Sequence, residues 1–396
     1  MAERVFITGM GAISALGTNL LENHQQLISG NSGIGTLKLF NSKYAETCLF
    51  GEVKVNNDSL QSQLNIFDAG ITRTTLLAVK AFDEALKMSG LSLNELASQQ
   101  TTLIVGNTVG GMCLTDELFA DANLQSSESP FTQSYDGGAV TLFLQKRCNI
   151  GGICNTINTA CSSSANAIIY GSRLIKNGLA KRAIVGGVDS LSKFTINGFN
   201  ALGILAPQHC RPFDEQRNGL NLGEGAGFLV LEAESVINNK TVFTEIAGFG
   251  NSNDAYHPSA ISPNGEGPYL SMMEALNMAQ IKPEAIGFIN AHGTGTENND
   301  ETESAAMQRV FSKVPPFASS KSKIGHTLGA AGALEAVFAI LGLHHQEIYP
   351  SYNFKQPIAA TRLKPNLSYQ KKSYDAVMSN SFGFGGNCST LIFTNP

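Results

Sequence analysis

Short apolar runs that end in glycine or a turn residue alternate along this chain with stretches whose apolar positions recur at helical spacing. The first run, residues 5–9, is followed by helix-compatible sequence, as at the start of a buried strand in a layered α/β fold. Residues 29–66 are rich in Gly, Ser and Asn with weak periodicity and read as surface excursions. Helical pattern resumes over 74–88, and a second buried strand, 103–106, leads into GNTVGGM. Residues 113–137 are polar and irregular, which places them as a cap or an interface loop. The third strand, 156–159, runs through a tight turn into an amphipathic helix marked by Ala165, Ile168, Ile169 and Ile175, with Gly178 at the stop. Strands over 183–188 and 227–231 complete a set of five. A similar order then restarts with 243–249, 286–291, 317–319, 376–380 and 390–393, and helices over 269–279 and 330–343 lie between. Two sets of five strands with interposed helices predict two similar halves, 1–240 and 241–396, joined near 233–241.

Composition sharpens this picture. Charged residues make up 15% of the chain, against about a quarter in ordinary soluble proteins, so the interior is large for the surface or a second subunit covers part of it. The net charge of −5 and the lack of any like-charge block argue against nucleic-acid binding. The opening MAERVFITGMGAIS is too short and too glycine-broken for a signal peptide. No run approaches the roughly 20 unbroken apolar residues of a membrane span. The seven cysteines are scattered without a CxxC pair, against both zinc and a disulfide framework. A reduced, cytoplasmic, soluble protein is expected.

The chemistry concentrates at strand ends. Cys161 lies where the third strand becomes helix, and free N–H groups with the positive helix end would there favour a thiolate and hold an oxyanion. The alternative is a small buried apolar residue. His292, in NAHGTGTENNDETES, directly follows the strand 286–291, where ligands bind in open α/β sheets; it could equally be a hydrogen-bonded structural histidine. In SSKSKIGHTLGAAGALEAVFAILGL, Lys321 and His326 precede a small-residue helix start, and Glu335 could pair with Lys321 if the loop folds back. In SNSFGFGGNCS, residues 379–389, a strand enters a glycine-rich loop able to offer N–H groups to an anion, or simply to turn. A cysteine, two histidines, a lysine and such a loop suit acyl transfer through an enolate, because each neutral imidazole offers one N–H donor.

These stretches, TACSSS, AHGTGT, KSKIGHTLGAAG and NSFGFGGNC, resemble the elongating β-ketoacyl-acyl-carrier-protein synthases, as do VFITGMGAISALG, RPFDEQRNGLNLGEGAGFLVLE and DAYHPS. The resemblance covers essentially the whole chain. It implies the thiolase-like fold, a duplicated five-layered αβαβα sandwich, and a dimer, either of identical chains or with a ketosynthase-like partner. It implies that Cys161 takes the acyl group from acyl-carrier protein. His292 and His326 would then bind the malonyl thioester carbonyl while carbon dioxide leaves. Lys321 with Glu335 would hold the histidine site, and the N–H groups of Cys161 and Phe384 would form the oxyanion hole. Thr294 and Thr296 would bind the pantetheine arm, Phe384 would gate the acyl pocket, and Val109 would line its floor. No metal or organic cofactor is implied.

The resemblance points first to fatty-acid elongation. ACSSS is nearer to polyketide ketosynthases, so a discrete ketosynthase of a specialised polyketide or aryl-polyene pathway is the alternative. A non-catalytic chain-length partner is disfavoured by Cys161 and both histidines, and a degradative thiolase by Lys321 and GHTLGAAG. Glu128 stands in SSESPFT where relatives often carry basic residues, which puts the usual carrier docking in doubt. Arg73, Arg211 and Arg217 are the candidates for meeting an acidic carrier protein.

Overall fold

The computed structural model describes residues 3–124, 126–238 and 240–396. Among the described residues twelve strands occur in chain order: β1 (Val5–Ile13), β2 (Thr101–Gly106), β3 (Cys154–Ile157), β4 (Arg182–Asp189), β5 (Gly225–Ala233), β6 (Thr244–Asn253), β7 (Ile286–Asn290), β8 (Phe317–Ala318), β9 (Glu347–Ile348), β10 (Gln370–Lys371), β11 (Ala376–Phe382) and β12 (Asn387–Thr394). Ten of them form one mixed sheet in the order β3-β2-β4-β5-β1-β6-β12-β11-β7-β8. Numbered within its own set, each half reads 3-2-4-5-1 outward to inward, so the order is a palindrome about the β1–β6 contact. That contact is short, Phe6 against Glu245 and Ile7 against Thr244. In the first half β3, β2, β4 and β1 run parallel and β5 runs antiparallel to them. The second half repeats the arrangement, with β8, β7, β11 and β6 parallel and β12 antiparallel to them.

Helices fill three further layers. Arg73–Ser89 packs outside on β1 and β5, and Glu266–Ala279 outside on β6 and β12. Between the halves lie Ser163–Lys176, against β2 and β4, and Ala331–His345, against β5 and β11. Ala331–His345 is buried from Ala331 through Leu343, so it carries apolar residues on every face, as a helix enclosed on all sides must. The stretch Leu328–His345 is long and apolar enough to cross a membrane, yet 89% of it lies inside the protein. Close packing of this layer needs glycine: a Cβ on Gly332 would meet Ala165 N at 2.7 Å, and one on Gly227 would meet Leu334 N at 2.8 Å.

All ten strands read from the pattern are present, several longer than their apolar runs. Two expectations change. Residues 113–137 are not an irregular loop throughout: Thr115–Leu124 is a helix with no buried residue, on which Phe119 and Leu124 stand 72% and 83% exposed. Its lack of a buried apolar stripe is why periodicity missed it. Within 29–66, Asn57–Leu64 forms a helix capped by the Asn56 side chain.

Candidate active site

β3 ends at Ile157 and the next helix begins at Ser163, so five residues reverse the chain. Ala160 takes φ 52°, a left-handed conformation that costs an L-residue about 1–2 kcal/mol. The turn recovers part of this internally, because Thr159 N–H donates to Ser163 Oγ (2.9 Å) and Ser163 N–H to Ala160 O (3.1 Å). Cys161 sits at its tip, buried, with the N–H groups of Phe384 and of Cys161 itself directed at the sulfur. Burial nevertheless pushes its thiol up to about 11, against the pull of those N–H groups and of Lys321. Burial therefore opposes the thiolate that the helix terminus favours.

His292 follows β7, and His326 follows a short helix, Lys321–Ile324. Their rings stand 5.5 Å apart and nearly perpendicular, and the ligating atoms of Cys161, His292 and His326 lie within 4.8 Å of one another. Leu328 N–H donates to His326 Nδ1 (3.1 Å), and the Lys321 ammonium faces His292 Nδ1 at 3.2 Å. A ring nitrogen that accepts cannot carry the proton in a neutral imidazole, so both rings hold theirs on Nε2. Both stay neutral, because burial and then the Lys321 charge hold them well below the ordinary histidine range. Two Nε2–H donors thus stand beside one thiol.

Lys321 donates to the His292 carbonyl (2.7 Å) and to Glu335, which is fully buried on the central helix; the loop does fold back. Burial raises the Glu335 carboxyl to about 7, with Lys321 opposing. The backbone around His326 is held as an added strand: its N–H donates to Asn221 O (2.7 Å), and Gly223 N–H donates to its carbonyl (2.9 Å). That assigns a task to the GLNLGEG stretch, which brings two backbone groups to the histidine.

Three buried carboxylates that the motif reading passed over position the same loops. Glu303, from helix Glu297–Val310, accepts from His292 N–H and Gly293 N–H, each at 2.8 Å, and burial raises it to about 7. Asp300, one turn earlier, accepts from Gly295 and Phe213 N–H. Asp189, at the end of β4, accepts from the N–H groups of Thr108, Val109 and Gly329, tying the loop after β2 to the turn after His326. Their only sequence signal is acidity inside otherwise apolar or helical sequence; Glu303 stands eleven residues past His292, the sixth residue of NNDETES.

A cavity of about 460 Å³ opens over Cys161, His292 and His326, and Thr294, Thr296, Phe382 and Phe384 line it. Thr294 and Thr296 hydroxyls lie 2.8 Å apart on its wall. Phe384 is 37% exposed and stacks on Phe199 with centroids 6.2 Å apart. Val109 is not brought to this cavity: it packs in a separate apolar cluster with Leu191, Ile196 and Leu328. Nor do all three arginines face outward. Arg73 is paired with Glu224 at 2.6 Å and donates to Val53 and Val55 carbonyls. Arg217 is buried and donates to the carbonyls of Asp214, Thr296 and Glu297. Both therefore hold loops, leaving Arg211, whose guanidinium meets the exposed side chain of Gln216.

A cysteine with two histidines is also a metal-ligand set. The tautomers argue against that use, since a metal would need the Nε2 lone pairs that the protons occupy, and the Lys321 ammonium adds repulsion.

The palindromic strand order, the two central helices and the thiol–diimidazole site define a thiolase-like condensing enzyme. The chain belongs to the β-ketoacyl synthases: the family's N-terminal domain matches residues 2–236 and its C-terminal domain residues 243–355. Over 99% of its length it is 33% identical to 98% of the 3-oxoacyl-[acyl-carrier-protein] synthase 2 of Coxiella burnetii. It is also 33% identical to nodulation protein E of Rhizobium leguminosarum bv. trifolii, over 99% of both chains. Among solved structures it is similar to the ishigamide ketosynthase/chain length factor, with TM-score 0.93, 30% identity and full coverage of both chains. The ketosynthase ApeO, solved in complex with its chain length factor ApeC from Xenorhabdus doucetiae, gives TM-score 0.86 and 33% identity over 100% of this chain and 98% of that one.

Proposed function

We propose that this ketosynthase is a decarboxylating condensing enzyme of a specialised polyketide or aryl-polyene-type pathway, working on carrier-protein thioesters. The observation that carries the chemistry is the pair of neutral Nε2–H donors beside a buried thiol. In the loading step the Cys161 sulfur attacks the acyl thioester, the oxyanion meets the Cys161 and Phe384 N–H groups, and the Cys161 proton leaves with the departing pantetheine thiol. A malonyl thioester then places its carbonyl against His292 and His326. Carbon dioxide leaves, and the electron pair of the broken bond forms an enolate that the two N–H donors stabilise. The enolate carbon attacks the acyl-Cys161 carbonyl; the released sulfur takes a proton from solvent, and the β-ketoacyl chain remains on the carrier. Lys321, held by Glu335, fixes the His292 tautomer, and Thr294 and Thr296 bind the pantetheine arm. The halves 1–240 and 241–396 supply the thiol and the histidines respectively.

The pathway assignment departs from fatty-acid elongation, the first expectation of the sequence. Its support is the likeness to the ishigamide and ApeO ketosynthases, together with ACSSS. The curated 3-oxoacyl-carrier-protein synthases, similar at 32–33% identity, favour the fatty-acid reading. A chain-length-factor-like partner or a second copy fits the free edge of β3, beside which Leu142 and Ile153 stand 50% and 44% exposed. The expected compartment is the cytoplasm. A ladder of saturated and conjugated dienoyl- and trienoyl-carrier proteins, each extended with malonyl-carrier protein and read by product mass, separates the pathways. Preferential extension of conjugated chains supports the specialised reading; equal or better turnover of saturated chains of matched length overturns it.

A further inference from the structure

The loop 383–386, which carries Phe384, is tied by its glycines alone: Gly383 N–H donates to Asn387 O (2.7 Å), Gly386 N–H to Gly383 O (3.1 Å) and Gly385 N–H to Pro258 O (2.7 Å). Gly385 and Gly386 both take φ 83°, and the Phe384 ring is partly in solvent. Yet the Phe384 N–H must stand against the Cys161 sulfur. Two anchors flank it. On one side Gly383 lies against the nucleophile turn so closely that a Cβ would meet Thr159 O at 2.6 Å and Cys161 N at 3.3 Å. On the other, Asn387 enters a polar cluster that the reaction does not use.

Asn387 Oδ1 accepts from Ser162 Oγ (2.7 Å), Asn166 Nδ2 (2.7 Å) and Asn251 Nδ2 (3.1 Å). Asn166 also donates to Thr159 Oγ1 (2.8 Å), and its own oxygen accepts from Asn251 Nδ2 (2.8 Å) and Ser389 Oγ (2.9 Å). The cluster therefore joins the residue after the nucleophile, the first turn of its helix, β6 and the start of β12. Three elements from both halves meet on one oxygen, whose residue lies three positions past Phe384 and whose donor Ser162 lies one past Cys161. We infer that Asn387, with Ser162, Asn166 and Asn251, positions the glycine loop so that the Phe384 N–H completes the oxyanion hole over Cys161. The inference rests on the proposed loading step. It assigns these side chains to that step and not to the histidine site, which is held separately by Lys321, Glu335 and Glu303.

The test compares two half-reactions of the full-length protein: acylation of Cys161 by octanoyl-carrier protein, and decarboxylation of malonyl-carrier protein without an acyl donor. Asn387→Leu removes the acceptor. Asn387→Asp keeps it among donors that suit a carboxylate. Ser162→Ala removes one donor and serves if the leucine variant does not fold. Loss of one oxyanion donor costs about 10²–10³ in rate, and a displaced donor costs less, so loading by Asn387→Leu should fall about 10- to 100-fold. Decarboxylation should stay within about twofold, and Asn387→Asp should recover most of the loading rate. Unchanged loading in the folded variants, or an equal fall in both half-reactions, overturns the inference. A parent protein that loads no acyl group overturns the proposed function instead.

Discussion

Glu303→Gln isolates the support of one catalytic ring. The native carboxylate gives each of its oxygens to a backbone N–H, His292 and Gly293, at 2.8 Å, and Asn380 Nδ2 lies 3.3 Å from the first. Glutamine keeps one acceptor and turns the other position into an NH₂ facing an N–H, with the side chain fully buried. A hydrogen bond to a charged group is worth about 1.5–3 kcal/mol, and the donor left unsatisfied adds a penalty of similar size. If about 1.5–3 kcal/mol of that appears as misplacement of His292 in the decarboxylation transition state, the rate falls about 10- to 150-fold. Acyl loading at Cys161 uses other donors and should change by less than about threefold. The pH dependence gives a second readout. Burial holds this carboxyl at about 7, so acidification through that pH protonates it and removes one acceptor in the native enzyme. Native decarboxylation should therefore show a limb falling below about pH 7 that is weaker in the variant. Stopped assays of released carbon dioxide and intact-protein mass measure the two half-reactions. Equal losses in both, or an identical acid limb in both proteins, would refute the reasoning.

Three further outcomes follow from particular side chains. Lys323 is 1% exposed, its ammonium donates to Leu27 O (2.9 Å), and burial lowers it to about 8. A lysine depressed in the folded state costs stability fully below about pH 8, and the cost is relieved as pH rises toward 10.5. Lys323→Met should thus gain about 1–3 kcal/mol in urea unfolding at pH 7 and much less at pH 10, whereas an equal change at both would contradict this. Arg211→Glu should raise KM for carrier-protein thioesters and spare small thioester analogues; an equal effect on both would make Arg211 structural. Val109→Phe should overpack its cluster, costing about 1–3 kcal/mol and slowing every chain length alike. Selective loss of long chains would return Val109 to the floor of the acyl pocket.

The strands were legible as short runs bounded by turn residues, and the chemical groups because each reactive residue sits just past an element, beside glycine or small residues. Cys161 follows β3, His292 follows β7 and His326 follows the short helix Lys321–Ile324, and the fold brings these three element ends together. What was not legible depends on contacts between residues far apart in sequence. Glu303 and Asp189 look like ordinary acids until the loops they hold are seen, and Arg73 looks solvated until Glu224, 151 residues away, is found beside it. At Cys161 the helix terminus that favours a thiolate is visible in sequence, and the burial that opposes it is not. Thr115–Leu124 escaped because a helix that buries nothing leaves no apolar stripe.

The central claim is that Cys161 carries the growing chain and that the histidines generate the carbon nucleophile. Its most direct measurement is tryptic mass mapping after octanoyl-carrier protein is added, and again after malonyl-carrier protein follows. The account predicts an octanoyl adduct on the peptide holding Cys161, absent in Cys161→Ala. On the second addition the adduct should vanish as a 3-oxodecanoyl-carrier protein and carbon dioxide form in equal amounts. An adduct on another cysteine, or carbon dioxide released while the Cys161 adduct persists, would contradict it.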